Sequence, residues 1–538
     1  MSANARARIL PPYVRRVDDT RHRILRLLLG VGLVLFAMAM GFFIALFGLF
    51  GWYIYAIPLV ILFLVALWLA PDVDTRLDGP IARTYFIFMA IFMMWPNYIA
   101  INLPGVPWIS FERLAMFALA GLTLYALATS RRFRGDFAEG LTHDIVMFRL
   151  FAGWTFIQFA MLAVTLFGAF GTYLNDLLFW SFLFAMSAWM MRVPGQPMRL
   201  FRLLIVAAVL TGIFGLLEAH HGKPIWIDHV PSFLGIEPSI IETLQTGRTR
   251  GGELRVKGIY RTSPGNAEFI GMAVPLALWA IAHAPTVRRA VLGIAFLALL
   301  FQVGLETQSR TAMVSFAVTI PAFVGIWALR RFRTEGPKRD IIGPAFVWLA
   351  PMLVSAFAAL LLLWPRARVA VFGGSMHRKS NAGRERQWDM AIPEIIDNPL
   401  GYGIGTIEKV VPNYNWAGIF TIDSYPIVLL VEYGVIGFLV YVALFVYAIY
   451  LGIRTYIQAS TREEMLAGAF AVSLCSFLVT RTVLAAGSQP VLAFAYAGMI
   501  TGLALVQKKR LAAEAPAAPQ PLAGTRLPPR VALARVGG

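Results

Sequence analysis

The chain has 538 residues, of which 58% are hydrophobic and only 14% are charged. A soluble protein of this length carries about 25% charged residues. The apolar residues fall in blocks of about twenty, the length that crosses a hydrocarbon core of about 30 Å. The net charge of +18 would suggest nucleic acid in a soluble protein. Here it favours basic cytoplasmic loops, so we predict an all-α polytopic integral membrane protein with no nucleic-acid partner.

The apolar blocks predict about 12–14 transmembrane helices. The first seven blocks are Leu27–Phe50, Tyr53–Ala70, Thr84–Ile99, Phe111–Ala128, Val146–Phe167, Tyr173–Met191 and Phe201–Ala219. After a polar stretch come Ala267–Ala282, Ala290–Leu305, Thr311–Leu329 and Ile342–Trp364. A second polar stretch precedes Ile427–Leu451, Leu466–Ala486 and Val491–Val506.

Basic residues in alternate connections predict the orientation, with both termini in the cytoplasm. The predicted order is a basic cytoplasmic tail (1–26), an N-terminal bundle (27–219), a first outer loop (220–266), a central bundle (267–364), a large outer loop (365–422), a C-terminal bundle (423–507) and a disordered cytoplasmic tail (508–538). The single cysteine, Cys475, excludes an intrachain disulfide. We predict no metal site and no cofactor.

The two long outer loops are themselves rich in arginine and lysine. Long loops cross the membrane regardless of charge, so these residues are either merely tolerated or recruit an anionic ligand at the outer face. Two closely spaced pairs, Arg248 with Arg250 and Arg384 with Arg386, suit phosphate. Guanidinium groups bind phosphate through two parallel hydrogen bonds and keep their charge.

The most informative stretch runs from Ser380 to Thr406. It begins with an arginine-bearing turn and continues with an amphipathic run from Trp388 to Ile395, which predicts a helix lying on the membrane. It ends in Asn398-Pro-Leu-Gly-Tyr-Gly-Ile-Gly405, where the glycines allow a backbone too tight for side chains.

This stretch resembles the signature outer loop of the O-antigen ligase and polymerase superfamily, in which an Arg, a Trp and an Asn-Pro-Leu-Gly-Tyr/Val-Gly segment follow one another. Three further passages, which extend the resemblance over about 257–437, are similar to family segments in the same order: Lys257-Gly-Ile-Tyr-Arg-Thr-Ser-Pro-Gly-Asn266, Gln308-Ser-Arg-Thr-Ala312 and Asp423-Ser-Tyr-Pro-Ile-Val-Leu-Leu-Val-Glu-Tyr-Gly-Val-Ile-Gly437.

The resemblance implies a C-type glycosyltransferase-like fold with its site at the outer face under a large loop. It also implies a bacterial inner membrane, in which the two long outer loops and the site face the periplasm. Such enzymes move glycan from a polyprenyl (undecaprenyl) diphosphate carrier to an acceptor sugar without a metal. Arg310, Arg384 and Arg261 are then candidates to stabilise the charge that grows on the diphosphate. The alternative for Arg310 is a side chain that extends to the membrane interface.

The acceptor hydroxyl also needs a base. Family ligases usually have His where the segment after the loop begins, and this chain has Asp423. The departure favours a polymerase, with Asp423 as the base. Alternatively Asp423 caps the helix that starts there.

Three embedded charges, Asp176, Glu432 and Arg481, need partners. Arg481 and Glu432 either form a structural ion pair or hold the carrier's phosphates. Trp388 and Tyr402 lie inside the signature loop and are candidates to stack on sugar rings.

Three functions follow from these observations. The first is a polymerase of O-antigen or exopolysaccharide, whose partners are the lipid-linked glycan, the acceptor glycan, membrane lipids and other polysaccharide assembly proteins. The second is an O-antigen ligase that joins glycan to lipid A-core. The third is a flippase for lipid-linked oligosaccharide, which is disfavoured because the chain shows no internal repeat.

Overall fold

The computed structural model describes residues 62–67, 77–101, 109–237, 240–241, 244, 249–250, 253–335, 342–363, 378–414, 420–482 and 489–514. Within this part of the chain, eight helices are long and apolar enough to cross a membrane. The chain is therefore an all-α polytopic membrane protein, as its composition predicts. The predicted span Leu27–Phe50 lies outside the described residues, as does Tyr53–Ala70 apart from 62–67.

Within the described residues of the N-terminal half, seven α-helices have both ends defined, and 62–67 are also helical. They are α1 (Asp78–Met94), α2 (Phe111–Thr129), α3 (Arg131–Thr142), α4 (Ile145–Val164), α5 (Phe170–Asp176), α6 (Leu183–Met190) and α7 (Gln196–His221). A six-residue π-helix, Leu177–Phe182, joins α5 to α6, so the predicted span Tyr173–Met191 is built from three pieces. Side chains cap two helix starts: Ser110 accepts the Arg113 N–H at α2, and Asp144 accepts the Val146 and Met147 N–H groups at α4.

The described part of the C-terminal half adds nine helices. They are α8 (Ser263–Ala282), α9 (Val287–Glu306), α10 (Arg310–Glu335), α11 (Ile342–Leu363), α12 (Arg378–Asp397), α13 (Ile407–Val410), α14 (Tyr425–Ile457), α15 (Leu466–Arg481) and α16 (Gln489–Glu514). Helix α16 continues through 508–514, which the sequence analysis assigned to the C-terminal tail.

A small sheet, which the sequence analysis did not predict, ties the first loop to the segment after α1. Its strands are β1 (Ile99–Ile101), β2 (Ile109–Ser110) and β3 (Leu234–Ile236), in the order β2-β1-β3 and antiparallel. In the register, Ala100 lies opposite both Ser110 and Gly235. A hairpin of β4 (Thr249–Arg250) and β5 (Glu253–Leu254) follows. We call the end of the bundle that carries this sheet and α12 the loop end.

Helix α8 is the centre of the C-terminal packing, since α9, α10 and α15 all contact it and nearly all its side chains are buried. Helix α16 packs along α6 at close range, because a Cβ added at Gly498 or Gly502 would overlap the carbonyl oxygen of Phe184 or Ala188. Small residues four apart allow such close backbone approach between membrane helices.

Candidate functional site

Helix α14 is broken at Gly434, whose φ of 68° and ψ of −179° fall in a region that only glycine adopts readily. The glycine-rich turn of the signature loop satisfies the main-chain groups that the break releases. Tyr402 N–H donates to the Val431 carbonyl at 2.8 Å, and Val435 N–H donates to the Pro399 carbonyl at 2.9 Å. The turn therefore completes the hydrogen bonding of a transmembrane helix.

The glycines of this turn allow its backbone to touch two helices. Gly401 and Gly403 have φ of 95° and 96°. A Cβ at Gly401 would lie 2.6 Å from the Gly434 nitrogen, and one at Gly403 would lie 2.9 Å from the Met161 carbonyl at the end of α4. Side chains at these positions would separate the turn from α14 and α4.

Glu432, two residues before the break in α14, also contacts the segment that contains the glycine turn. Its buried carboxylate accepts main-chain N–H groups of Gly405, Thr406 and Ile407, the last at 3.3 Å. Of the two alternatives for Glu432 and Arg481, the mutual ion pair does not form, because Arg481 pairs with Glu268 instead. The main-chain donors reach Glu432 from a turn whose fold the sequence did not reveal.

The predicted amphipathic helix of the signature loop is present as α12, and its apolar face packs on the first half of α14. Ala391 is fully buried, and the partly buried Trp388 belongs to the same cluster as Ile427 and Val431. The Tyr402 hydroxyl donates to a carboxylate oxygen of Glu394 at 2.8 Å, which ties the glycine turn to α12. Trp388 and Tyr402 thus both help to dock the loop.

Gln387, which the sequence analysis did not single out, links α12 to the segment that enters α14. Its buried side chain accepts the Asp423 N–H at 2.9 Å and donates to the Thr421 carbonyl at 3.4 Å. Arg384 precedes Gln387 by one turn, and residues three apart share a helix face. Arg384 is partly buried, whereas Arg386 is exposed. The helix therefore directs Arg384 rather than Arg386 towards the face that holds Asp423.

Asp423 is partly buried and does not act as the cap of α14. The N-cap residue is Ser424, and no side-chain cap hydrogen bond forms there. The alternative of Asp423 as a helix cap is therefore not supported.

A buried ion pair between Arg481 and Glu268 lies close to Tyr425, the first residue of α14. Arg481 at the end of α15 donates through Nη2 to Glu268 Oε2 at 3.1 Å, and Thr480 Oγ1 donates to Glu268 Oε1 at the same distance. The Arg481 guanidinium lies 5.2 Å from the ring centroid of Tyr425. Glu268 lies inside the predicted span Ala267–Ala282. A carboxylate inside a membrane span usually has a function or a buried partner, so Glu268 could have been singled out from the sequence alone.

Arg310 begins α10 at the same end of the bundle. Helices α8, α10 and α15 meet where a Cβ at Gly271 would overlap Ser315 and lie 2.9 Å from Ser476 Oγ. Arg310 lies five residues before Ser315, and Arg481 lies five residues after Ser476. Each arginine is therefore about 7.5 Å along its helix from the contact at Gly271, at 1.5 Å per residue. Arg310 is partly buried. The two arginines therefore lie at similar depth on neighbouring helices.

The first loop is anchored at the same end. The Glu218 carboxylate accepts the Lys257 and Gly258 N–H groups, the latter at 2.6 Å. Arg261 forms an ion pair with Glu237. Arg250 lies in β4, and Arg248 lies outside the described residues.

Asn266, the last residue of the resembling segment in this loop, is fully buried in α8. Neither its amide nitrogen nor its amide oxygen has a hydrogen-bond partner in the described part of the chain. Buried amides are almost always hydrogen-bonded. Asn266, two residues before Glu268, is therefore a buried polar group whose partner lies outside the described residues or in bound water.

The fold and this site define a multi-pass helical membrane protein in which a docked loop helix and a broken span meet over buried charges. Residues 295–442 match the family model described as O-antigen ligase. The matched segment contains Arg310, α12, the glycine turn, Asp423 and the break at Gly434. The match confirms the resemblance to the O-antigen ligase and polymerase superfamily. A comparison with curated proteins finds no match.

Proposed function

We propose that the protein is a polymerase of O-antigen or exopolysaccharide, which transfers glycan from a polyprenyl diphosphate carrier to an acceptor sugar at the periplasmic face. The docking of α12 on α14 supports this function most directly. It brings Arg384 to the helix face whose Gln387 holds the main chain of Asp423. A cation for the leaving group and a base for the acceptor thus come from one loop junction.

The proposed reaction forms one glycosidic bond and breaks one. The acceptor hydroxyl attacks the anomeric carbon, its proton passes to the Asp423 carboxylate, and the bond from that carbon to the diphosphate oxygen breaks. The diphosphate leaves with the electron pair. Arg310 and Arg384 offset the negative charge that develops there, and fixed cations in a poorly hydrated site do so without reorganising. Arg261, Arg386, Arg248 and Arg250 are proposed to recruit the donor.

O-antigen ligase is the second candidate, since the matched family model carries that description. Glycan from a strain that lacks this protein separates the two. A lost polymerase leaves single lipid-linked repeats outside the membrane, which is the result we expect. Full-length unattached chains would instead identify a ligase, and repeats trapped inside would identify a flippase.

Asp423→Asn removes the proposed base and keeps the size of the side chain. We expect turnover to fall by about 10²–10⁴-fold, the usual contribution of a general base, while donor binding is unchanged. Turnover is measured with purified protein and a lipid-diphosphate-linked donor. Asp389→Asn on the exposed side of α12 is the matched control and retains activity. An active Asp423→Asn variant would remove Asp423 from the mechanism.

Gln387→Leu tests whether Gln387 positions Asp423. The change removes both hydrogen bonds to the segment that enters α14, at a cost of about 1–3 kcal/mol for the groups left unsatisfied. We expect kcat to fall by about tenfold or more with donor binding unchanged, because a catalytic group that is displaced by even about 1 Å loses much of its effect. Gln387→Glu still accepts the Asp423 N–H and restores part of kcat. Equal kcat for the Leu and Glu variants would exclude a positioning role.

A further inference from the structure

We propose that a cavity at the end of the bundle opposite the loop end binds the headgroup of an anionic phospholipid. The cavity has a volume of about 590 Å³ and lies between the first turns of α1 and α7. Both helices run from this cavity towards the sheet, since β1 follows α1 and β3 follows α7. The cavity is therefore remote from the candidate catalytic site, and this proposal does not depend on the proposed function.

The cavity carries an excess of positive charge. Arg83 of α1 and Arg199 of α7 line it, and neither forms an ion pair or a hydrogen bond with the described residues. Asp78 contributes one carboxylate to the lining. Two guanidinium groups against one carboxylate favour an anion, and guanidinium matches two oxygens of a phosphate group.

Other charges near this end already have partners. Arg192 donates to Asp136 at 3.0 Å and to Glu139 at 3.1 Å. The Glu463 carboxylate accepts the Gly195 N–H at 2.9 Å. Asp136 and Glu139 are therefore already paired with a cation, so their charge does not offset Arg83 and Arg199.

The apolar part of the cavity distinguishes a lipid from a free anion. Ala82, Phe86 and Val193 line it beside the arginines. Ile87, four residues after Arg83 on α1, is 50% exposed and continues an apolar surface along the helix towards the membrane interior. A basic pocket between membrane helices with an adjoining apolar surface accommodates a phosphate headgroup and its acyl chains together.

The charge of the lining indicates which headgroup to test. Phosphatidylglycerol presents one negatively charged phosphodiester and carries no positive group that Arg83 and Arg199 would repel. Phosphatidylcholine has the same phosphodiester but adds a fixed positive charge. The two lipids therefore differ in the property that this cavity is proposed to recognise.

The test measures lipid retention by the full chain. Purified, delipidated protein is titrated with phosphatidylglycerol, and bound lipid is counted by native mass spectrometry. We expect the Arg83→Ala/Arg199→Ala variant to bind at least roughly tenfold more weakly, because it loses two charge-assisted contacts to the phosphate. The Arg83→Lys/Arg199→Lys variant keeps both charges, and we expect it to keep much of the lipid binding. That result excludes misfolding as the cause of the loss in the alanine variant. Arg202→Ala, an exposed residue of α7 outside the cavity lining, is the matched control.

Three results would overturn the proposal. Phosphatidylcholine could bind as tightly as phosphatidylglycerol. Arg202→Ala could lose as much lipid as the double alanine variant. Inorganic phosphate at millimolar concentration could displace the lipid completely, which would identify a site for soluble phosphate.

Discussion

Replacing Arg310 or Arg384 with Ala is expected to abolish glycan assembly at normal protein levels. Each guanidinium is proposed to stabilise the diphosphate as it leaves, and the loss of one such preorganised contact lowers kcat by about 10²–10³-fold. Both residues are partly buried at the loop end, where a cation is less screened by water than at an open surface. The measurement is kcat with a lipid-diphosphate-linked donor, together with glycan analysis of the complemented deletion strain.

Arg333→Ala is the matched control for Arg310, because it removes an exposed arginine from the opposite end of the same helix. It retains full activity if the effect depends on position rather than on net charge. Arg386→Ala gives a second comparison on α12. Because this exposed side chain is proposed to recruit the donor, we expect the variant mainly to raise KM. Wild-type kcat in both Arg310→Ala and Arg384→Ala would defeat the proposed diphosphate contacts.

Gly434→Ala is expected to destabilise the protein more than an alanine at any glycine of the turn that packs against the break in α14. The backbone strain at this φ and ψ costs about 1–3 kcal/mol. The added Cβ would also overlap the main chain at Leu400 and lie 2.6 Å from the Pro399 carbonyl oxygen. The glycine turn would then separate from α14 and leave main-chain groups of the broken helix without partners. Thermal unfolding in detergent measures the effect as a lower Tm.

Gly383→Ala provides the control, since this glycine lies in α12 with no atom within 4 Å of an added Cβ. Alanine is favoured over glycine inside a helix by about 0.5–1 kcal/mol, so this variant keeps or raises Tm. An unchanged Tm for Gly434→Ala would show that the turn does not hold the break.

The spans were predictable because each apolar block specifies a helix through its own length and hydropathy. The predicted block Ile342–Trp364 corresponds to α11 at Ile342–Leu363, and Phe111–Ala128 corresponds to α2 at Phe111–Thr129. Agreement was poorer at α1, where the predicted block began at Thr84 and the helix begins at Asp78. The amphipathic α3 lies between two predicted blocks and is not predicted by hydropathy, because a short helix with one buried face has a low mean hydropathy.

The candidate site likewise contains residues that the sequence singled out and contacts that it did not reveal. The sequence singled out Arg310, Arg384 and Asp423, because residue type and order along the chain carry that signal. It left the partner of Arg481 open and did not single out Glu268 or Gln387, because partners far apart in sequence are chosen by helix packing. Glu268 and Arg481 are 213 residues apart.

The amino-acid sequence alone determined that this chain is a helical membrane protein and that its signature loop resembles that of the O-antigen ligase and polymerase superfamily. Hydrophobic length and local motifs are properties of contiguous residues, and they require no knowledge of neighbours. Only the tertiary structure decided that the glycine turn completes a broken helix, that α12 docks beside Asp423, and that Glu268 neutralises Arg481. Each of these depends on buried polar groups finding partners in other elements, and that choice follows from how the helices pack.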